Sequence, residues 1–235
     1  CQVGGTWGSC AQNNQPVQEI CNNTLDDDCD GAVDENDLDC QLACFDKADM
    51  MLVLDKSGSI DLNELSQLKT ASIDFVNSIT PSSEGTHIGL VSFETIATLN
   101  VHLTASSTQL ISAINSLIKG QLTNLEGGIK KANTELANPG DGHDRLDNTS
   151  PDYMIIVTDG APTYASSGGD PAIKATAAAQ AAKQAGITIY VVGVGTDATT
   201  SAYLRNNIAT DSDHYFDVAN YQNLSAILSS IASCK

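Results

Sequence analysis

From Asp49 onward the chain alternates short, nearly continuous apolar runs with longer segments whose apolar residues recur every three or four positions. The runs Met50–Leu54, Tyr153–Val157 and Ile187–Val194 have few polar interruptions, the pattern of parallel strands buried on both faces by crossover helices. The alternation predicts strands at 49–54, 87–93, 96–103, 152–158, 187–194 and, briefly, 214–218. Helices are predicted at 61–79, 106–118, 124–137, 171–185, 199–209 and 221–233. Ile96 follows Phe93 after only two residues, too few for a crossover, so 96–103 should pair antiparallel at one edge of the sheet. In the last helix Leu224, Ile227, Leu228 and Ile231 fall at i, i+3, i+4 and i+7, an apolar stripe for packing on the sheet. The expected fold is therefore a doubly wound α/β domain with a mostly parallel sheet and one antiparallel edge strand.

Residues 1–43 read differently. They are rich in Cys, Asn, Asp and Gly and almost lack apolar runs, so the expected division is a small loop-rich module at 1–43 and the α/β domain at 44–235. Six of the seven cysteines (Cys1, Cys10, Cys21, Cys29, Cys40 and Cys44) crowd the first 44 residues, and Cys234 stands alone at the far end. Such crowding in a module without a core points to disulfides in an oxidising compartment. An odd count leaves at least one thiol without an intramolecular partner, Cys1 being the first candidate. Structural zinc is disfavoured there, because no Cys-x-x-Cys pair and no neighbouring His is present.

Charge narrows the partners. With 29 acidic against 11 basic residues the formal charge is −18, which repels phosphate backbones and anionic lipid, so nucleic-acid binding is not expected. No apolar run approaches the roughly 20 residues of a transmembrane helix and none reads as a signal peptide, so a mature or excised soluble segment is expected. An extracellular or cell-surface segment, part of a larger surface protein, is the expectation.

The chemistry concentrates where predicted strands end. Asp55-Lys56-Ser57-Gly58-Ser59 directly follows the first strand, Thr158-Asp159-Gly160 closes the fourth, and Thr123 sits in Gln121-Leu122-Thr123-Asn124-Leu125-Glu126-Gly127-Gly128. In open α/β sheets ligands bind beyond the carboxyl ends of the strands, where the winding direction reverses. Every donor in this set is oxygen, which suits Mg²⁺, Mn²⁺ or Ca²⁺ rather than zinc or copper. The competing reading of Asp-x-Ser-x-Ser is a turn with good helix-capping residues; Thr123 and Asp159 in their expected elements weigh against it.

Taken together these residues resemble the metal-ion-dependent adhesion site (MIDAS) of von Willebrand factor type A domains, a resemblance that covers about residues 46 to 234. It implies that Ser57 and Ser59 bind the ion directly, Thr123 directly or through water, and Asp55 and Asp159 mostly through water. Neutral hydroxyls would then dominate the coordination, leaving positive charge and one open octahedral position for an outside carboxylate. The implied cofactor is Mg²⁺ or Mn²⁺, and the implied partner a protein or matrix ligand presenting Asp or Glu. The resemblance also implies a Cys44–Cys234 disulfide, since the first strand and last helix of such domains finish near one another.

The segment Asp26 to Asp37 matches a calcium loop of EF-hand type. Acids fall at positions 1, 3, 5 and 9 (Asp26, Asp28, Asp30, Asp34), Gly31 at 6 and the Ala32 carbonyl at 7, with Asp37 at 12 in place of the usual Glu. Its cysteine-containing surroundings resemble a repeat of large secreted bacterial proteins. Ca²⁺ is the expected ion.

Other signals are weaker. His87, His102, His143 and His214 are scattered without metal spacing and are expected to be surface or hydrogen-bonded residues. The polar stretch 138–152 is expected to border the metal site. A Mg²⁺-dependent phosphohydrolase with Asp55 as nucleophile is the enzymatic rival, but Ser57 stands where that chemistry wants a second Asp, and no nucleophile elbow or P-loop occurs. The expectation is a binding module, not an enzyme.

Overall fold

The computed structural model describes residues 47–138, 140, 142–146 and 149–233. The acidic loop at Asp26 to Asp37, all seven cysteines and therefore the expected Cys44–Cys234 bond lie outside the described residues.

Six strands form one sheet: β1 (Asp49–Asp55), β2 (His87–Phe93), β3 (Ala97–Thr104), β4 (Asp152–Thr158), β5 (Thr188–Val194) and β6 (Tyr215–Val218). Their spatial order is β3-β2-β1-β4-β5-β6, with β3 antiparallel to β2 and every other pairing parallel. Among the described residues the α-helices are α1 (Leu62–Ile79), α2 (Ser107–Ser116), α3 (Leu125–Leu136), α4 (Pro171–Gln184), α5 (Ala198–Tyr203) and α6 (Leu224–Ser233). This is the mostly parallel α/β sheet with an antiparallel edge that the hydrophobic pattern predicts.

Strand parity assigns the two faces. Met51, Val53, Val91, Phe93, Met154 and Ile156 pack against α3, α4 and the turn after α5. Met50, Leu52, Leu54, Ile88 and Leu90 point the other way and are fully buried, on the side where α1, α2 and α6 bury Leu68, Phe75, Ile114, Leu224 and Leu228. A strand buried on both faces can carry no alternation, hence the unbroken apolar runs.

Helix starts are set by capping chemistry. Asp61 accepts from the Asn63 and Glu64 backbone N–H groups while the Glu64 side chain accepts from the Asp61 N–H, a complete capping box for α1. Asn124 caps α3 through the Gly127 N–H at 2.9 Å, and Asp170 caps α4 ahead of Pro171 at its first position.

Two expectations change. The helix predicted at 199–209 stops being α-helical at Tyr203, and Leu204–Ile208 form a π turn closed by the Ala209 N–H donating to the Leu204 carbonyl at 3.0 Å. The cause lies just beyond: Thr210 is clasped to Ile189 at the start of β5 by its N–H (3.0 Å) and its hydroxyl oxygen (2.7 Å), which draws the chain off the helical path. The described residues of the 138–152 stretch do not border the metal site. They lie at the opposite end of the sheet, where the Arg145 guanidinium and backbone N–H hold the Asp49 carboxylate at the start of β1. The reason is topological: a segment that feeds β4 must lie where the parallel strands begin, whereas the metal loops leave where they finish.

Candidate metal centre at the strand ends

Three loops meet beyond the carboxyl ends of β1 and β4, at the point where the winding order reverses. The Asp55–Ser59 loop leaves β1, the 117–124 loop precedes α3, and the loop from Asp159 leaves β4. Backbone bonds stitch them together. Lys56 N–H donates to the Phe93 carbonyl (2.9 Å), Gly58 N–H to Gln121 (2.6 Å) and Gly120 N–H to Lys56 (2.6 Å). Thr123 is clasped to the third loop: its N–H donates to Thr163 Oγ1 at 2.9 Å, and its carbonyl accepts from the Thr163 and Tyr164 N–H groups.

This stitching brings four of the five sequence-predicted residues into one hydrogen-bonded string. Asp55 Oδ1 accepts from the Ser57 N–H at 2.8 Å, Ser57 Oγ lies 3.1 Å from Ser59 Oγ, and Ser59 Oγ donates to Asp159 Oδ1 at 2.9 Å. Thr123 is buried and enters the same loop cluster through its backbone. The second Asp55 oxygen accepts from Thr158 Oγ1 at 2.6 Å, a contact of the β4 end that the sequence pattern did not single out. The string runs from the fully buried Asp55 and Ser57 to the exposed Ser59, so one end is anchored and the other faces solvent.

Electrostatics favour a cation here. Burial pushes the Asp55 carboxyl up to about 7, against the lowering effect of its Thr158 and Ser57 hydrogen bonds, and the neighbouring Asp159 charge adds to the rise. Asp159 is raised too, again chiefly by burial. Two carboxylates withdrawn from water and facing neutral hydroxyls are costly to keep ionised. Tyr221 lies in the field of both, and its buried hydroxyl has no hydrogen-bond partner among the described residues. A hydrated hard cation would fit this donor set: it would neutralise the carboxylates, could take the hydroxyl oxygens of Ser57 and Ser59, and would bring water within reach of the phenol.

Sequence reasoning missed the supports around the string. Glu126, fully buried in the first turn of α3, accepts from the Ser167 hydroxyl (2.6 Å) and N–H (3.2 Å) and so ties the Asp159 loop to α3. Asn124 Nδ2 donates to the Thr95 carbonyl, anchoring the 117–124 loop to the β2–β3 turn. Ile96, Leu122 and Tyr164, one from each surrounding loop, are exposed. A groove of about 500 Å³ beside them runs between β3 and α3 and is lined by Ile96, Leu99, Lys130 and Lys131 among others.

Comparison with known proteins agrees with this architecture. The model of the von Willebrand factor type A domain family matches residues 49–230. No curated protein matches the sequence. Among solved structures, proximal thread matrix protein 1 from the mussel byssus superposes with a TM-score of 0.68 at 22% identity, covering 80% of this chain and 48% of its own. The von Willebrand domain of the type V pilus tip protein Mfa5 from Porphyromonas gingivalis gives 0.66 at 19% identity, over 81% of this chain and 95% of its own. The pilus adhesin SpaC from Lactobacillus rhamnosus GG gives 0.63 at 20% identity, over 80% and 30% respectively. The chain thus spans about half of the mussel protein and less than a third of SpaC.

Proposed function

Because the chain belongs to the von Willebrand factor type A domain family, we propose that it is an extracellular or cell-surface binding module that grips an acidic side chain of a protein or matrix partner through a divalent cation. The cation is Mg²⁺ or Mn²⁺, held by Ser57, Ser59 and Thr123 and, through water, by Asp55 and Asp159. The observation that carries this reading is the string from buried Asp55 to exposed Ser59 and half-buried Asp159. It offers an ion hydroxyl and carboxylate oxygens from inside and leaves its solvent side for an outside ligand. Exposed Ile96, Leu122 and Tyr164 on neighbouring loops are available to such a partner.

The geometry also speaks against the phosphohydrolase alternative. Asp55 is fully buried and both its oxygens already accept hydrogen bonds, a poor state for a nucleophile. The neighbours named above are a byssal matrix protein and pilus tip proteins or adhesins, which agrees with a binding role in a larger surface assembly. One mussel structure carries zinc in its MIDAS motif, so zinc belongs in any titration of this site even though its donors are all oxygen.

Two further parts of the proposal concern residues outside the described ones. Asp26, Asp28, Asp30, Asp34, Asp37 and the Ala32 carbonyl hold Ca²⁺, and a Cys44–Cys234 disulfide joins the two ends of the α/β domain. That bond closes a loop of about 190 residues, for which chain entropy gives roughly 5 kcal/mol as an upper figure.

The test of the central reading is a metal titration with Mg²⁺, Mn²⁺ and Zn²⁺ on the wild-type chain, Ser57→Ala and Asp159→Ala, coupled to retention of native surface extract with and without EDTA. Asp159→Ala should lose the ion and the retained partner, and Ser57→Ala should weaken both with the fold intact. Retention that survives EDTA and Asp159→Ala alike sinks the adhesion reading.

A further inference from the structure

We propose that His102, Glu135 and His143 form a second metal centre, of the nitrogen-and-carboxylate kind that suits Zn²⁺, at the end of the sheet opposite the Ser57–Asp159 cluster. The inference does not depend on the function proposed above. His102 lies near the end of edge strand β3, Glu135 in the last turn of α3, and His143 in the segment that leads to β4. Glu135 sits ten residues into α3, so the cluster is about 15 Å along that helix from the metal loops. One candidate ligand atom from each side chain, a ring nitrogen from each histidine and a carboxylate oxygen, lies within 4.8 Å of the other two.

Several features make this more than a chance encounter of polar groups. Glu135 is 3% exposed, a burial that a carboxylate sustains only with strong partners. Its Oε1 accepts the Leu103 backbone N–H at 2.9 Å, and His102 Nδ1 faces both carboxylate oxygens, 3.1 Å from Oε1 and 3.0 Å from Oε2. The edge of a tetrahedron with zinc–ligand bonds of about 2.0–2.1 Å is about 3.3 Å, so this pair already stands close to coordination distance. An acceptor bond that orients a metal-binding carboxylate from behind is a usual support of such centres.

The imidazoles of His102 and His143 stack with centroids 4.3 Å apart and planes 15° from parallel. The last turn of α3 carries no basic side chain, so the partial negative charge of the helix end adds to that of Glu135 in attracting a cation. For both imidazoles to bind one ion, the His143 ring would have to tilt out of the stack so that the two nitrogen lone pairs converge. The ligands are imidazole and carboxylate, a set that selects zinc over magnesium. A three-ligand zinc keeps a fourth position for water or an outside group, and the His102 side chain, 54% exposed, leaves that position open to solvent. An ion held here would staple the 142–146 segment to β3 and α3.

The experiment is a Zn²⁺ titration of the full chain carrying Asp159→Ala, so that the strand-end site does not compete, against the same chain with His102→Ala or His143→Ala added. Matched variants cancel any zinc taken by the N-terminal cysteines or acids. Loss of either histidine should weaken one class of zinc site at least tenfold, and excess Mg²⁺ should not displace zinc from that class. A zinc isotherm unchanged by both substitutions overturns the proposal. Should either variant fail to fold, the wild-type chain decides the matter through diethyl pyrocarbonate modification. Zinc should protect His102 and His143 and leave His214 as reactive as before; equal modification of all three with and without zinc overturns the site.

Discussion

Gly58→Ala separates a metal site built by loop stitching from one that merely contains the right residues. A Cβ at Gly58 would sit 2.7 Å from the Gln121 carbonyl oxygen, about 0.7 Å short of the 3.4 Å at which ordinary contact begins. Backbone torsion is not the obstacle, because Gly58 is not among the residues with left-handed φ. The clash falls on the backbone two residues before Thr123 and on the bond from Gly58 N–H to Gln121. Metal and catalytic constellations tolerate displacements of about 0.5 Å, so the 117–124 loop moves beyond tolerance while the sheet beneath it stays. The expected result is a Mg²⁺ or Mn²⁺ affinity lower by about tenfold, equivalent to about 1.4 kcal/mol, with an overpacking cost of about 1–3 kcal/mol in thermal unfolding and an unchanged circular dichroism spectrum. Gly160→Ala is the matched control: it adjoins Asp159, its Cβ would meet nothing within 4 Å, and its affinity should equal wild type. Calorimetric titration reads both. Wild-type affinity in Gly58→Ala would refute the reasoning.

Three further outcomes are expected. Because burial holds the Asp55 carboxyl at about 7 in the ion-free fold against an ordinary 3.8, the ion-free protein keeps its proton where the unfolded chain has lost it, and its stability falls as pH rises from about 4 to about 7. Mg²⁺ must displace that proton, so its apparent affinity should drop below pH 7 and its binding release protons at pH 6 but few at pH 8; calorimetry in buffers of different ionisation enthalpy measures this, and no proton release at pH 6 contradicts it. Arg145→Met removes the guanidinium that bonds the fully buried Asp49 and the Ala48 and Gly85 carbonyls; stranding the Asp49 charge should cost about 3–5 kcal/mol by denaturant unfolding and leave Mg²⁺ affinity unchanged. Calcium should protect residues 21–40 from protease while EDTA leaves the α/β domain folded, and equal cleavage rates between Asn22 and Asn36 in both conditions count against a calcium loop.

What could be read from the sequence was what the chain writes locally. The parallel strands announced themselves because burial on both faces forces unbroken apolar runs, and the edge strand because two residues cannot make a crossover. Ser57, Ser59 and Asp159 were legible because they directly follow such runs. The π turn at Leu204–Ile208 was not, since its cause is the clasp of Thr210 onto Ile189, twenty-one residues back in the chain. Nor was the meeting of His102, Glu135 and His143: their spacings match no helix, strand or loop motif, and only the antiparallel return of β3 beside the end of α3 brings them together. The placement of 138–152 was misread for a related reason. Its polarity marks it as surface, but polarity does not say which end of a sheet a surface loop belongs to; the parallel pairing of β4 with β1 does.

That distinction between the two ends bears on function. The fold buries an aspartate at each terminus of β1. At the start, Asp49 receives a guanidinium with two ionic contacts and a backbone N–H, and the charge is settled within the chain. At the finish, Asp55 receives a hydroxyl and a backbone N–H, and among the described residues no Lys or Arg forms an ion pair with it or with Asp159. A protein that neutralises one buried carboxylate with Arg145 and leaves the other to the Ser57 N–H and the Thr158 hydroxyl has, at the second place, kept a carboxylate that an ion can take once its proton leaves. Neutral donors around that charge hold an ion without cancelling it, since hydroxyls coordinate but do not subtract from its positive charge. An arginine there would stabilise the empty fold and abolish the site. The difference between the two ends of one strand is therefore what the proposed cation site requires: one buried carboxylate balanced within the chain and one left for an ion.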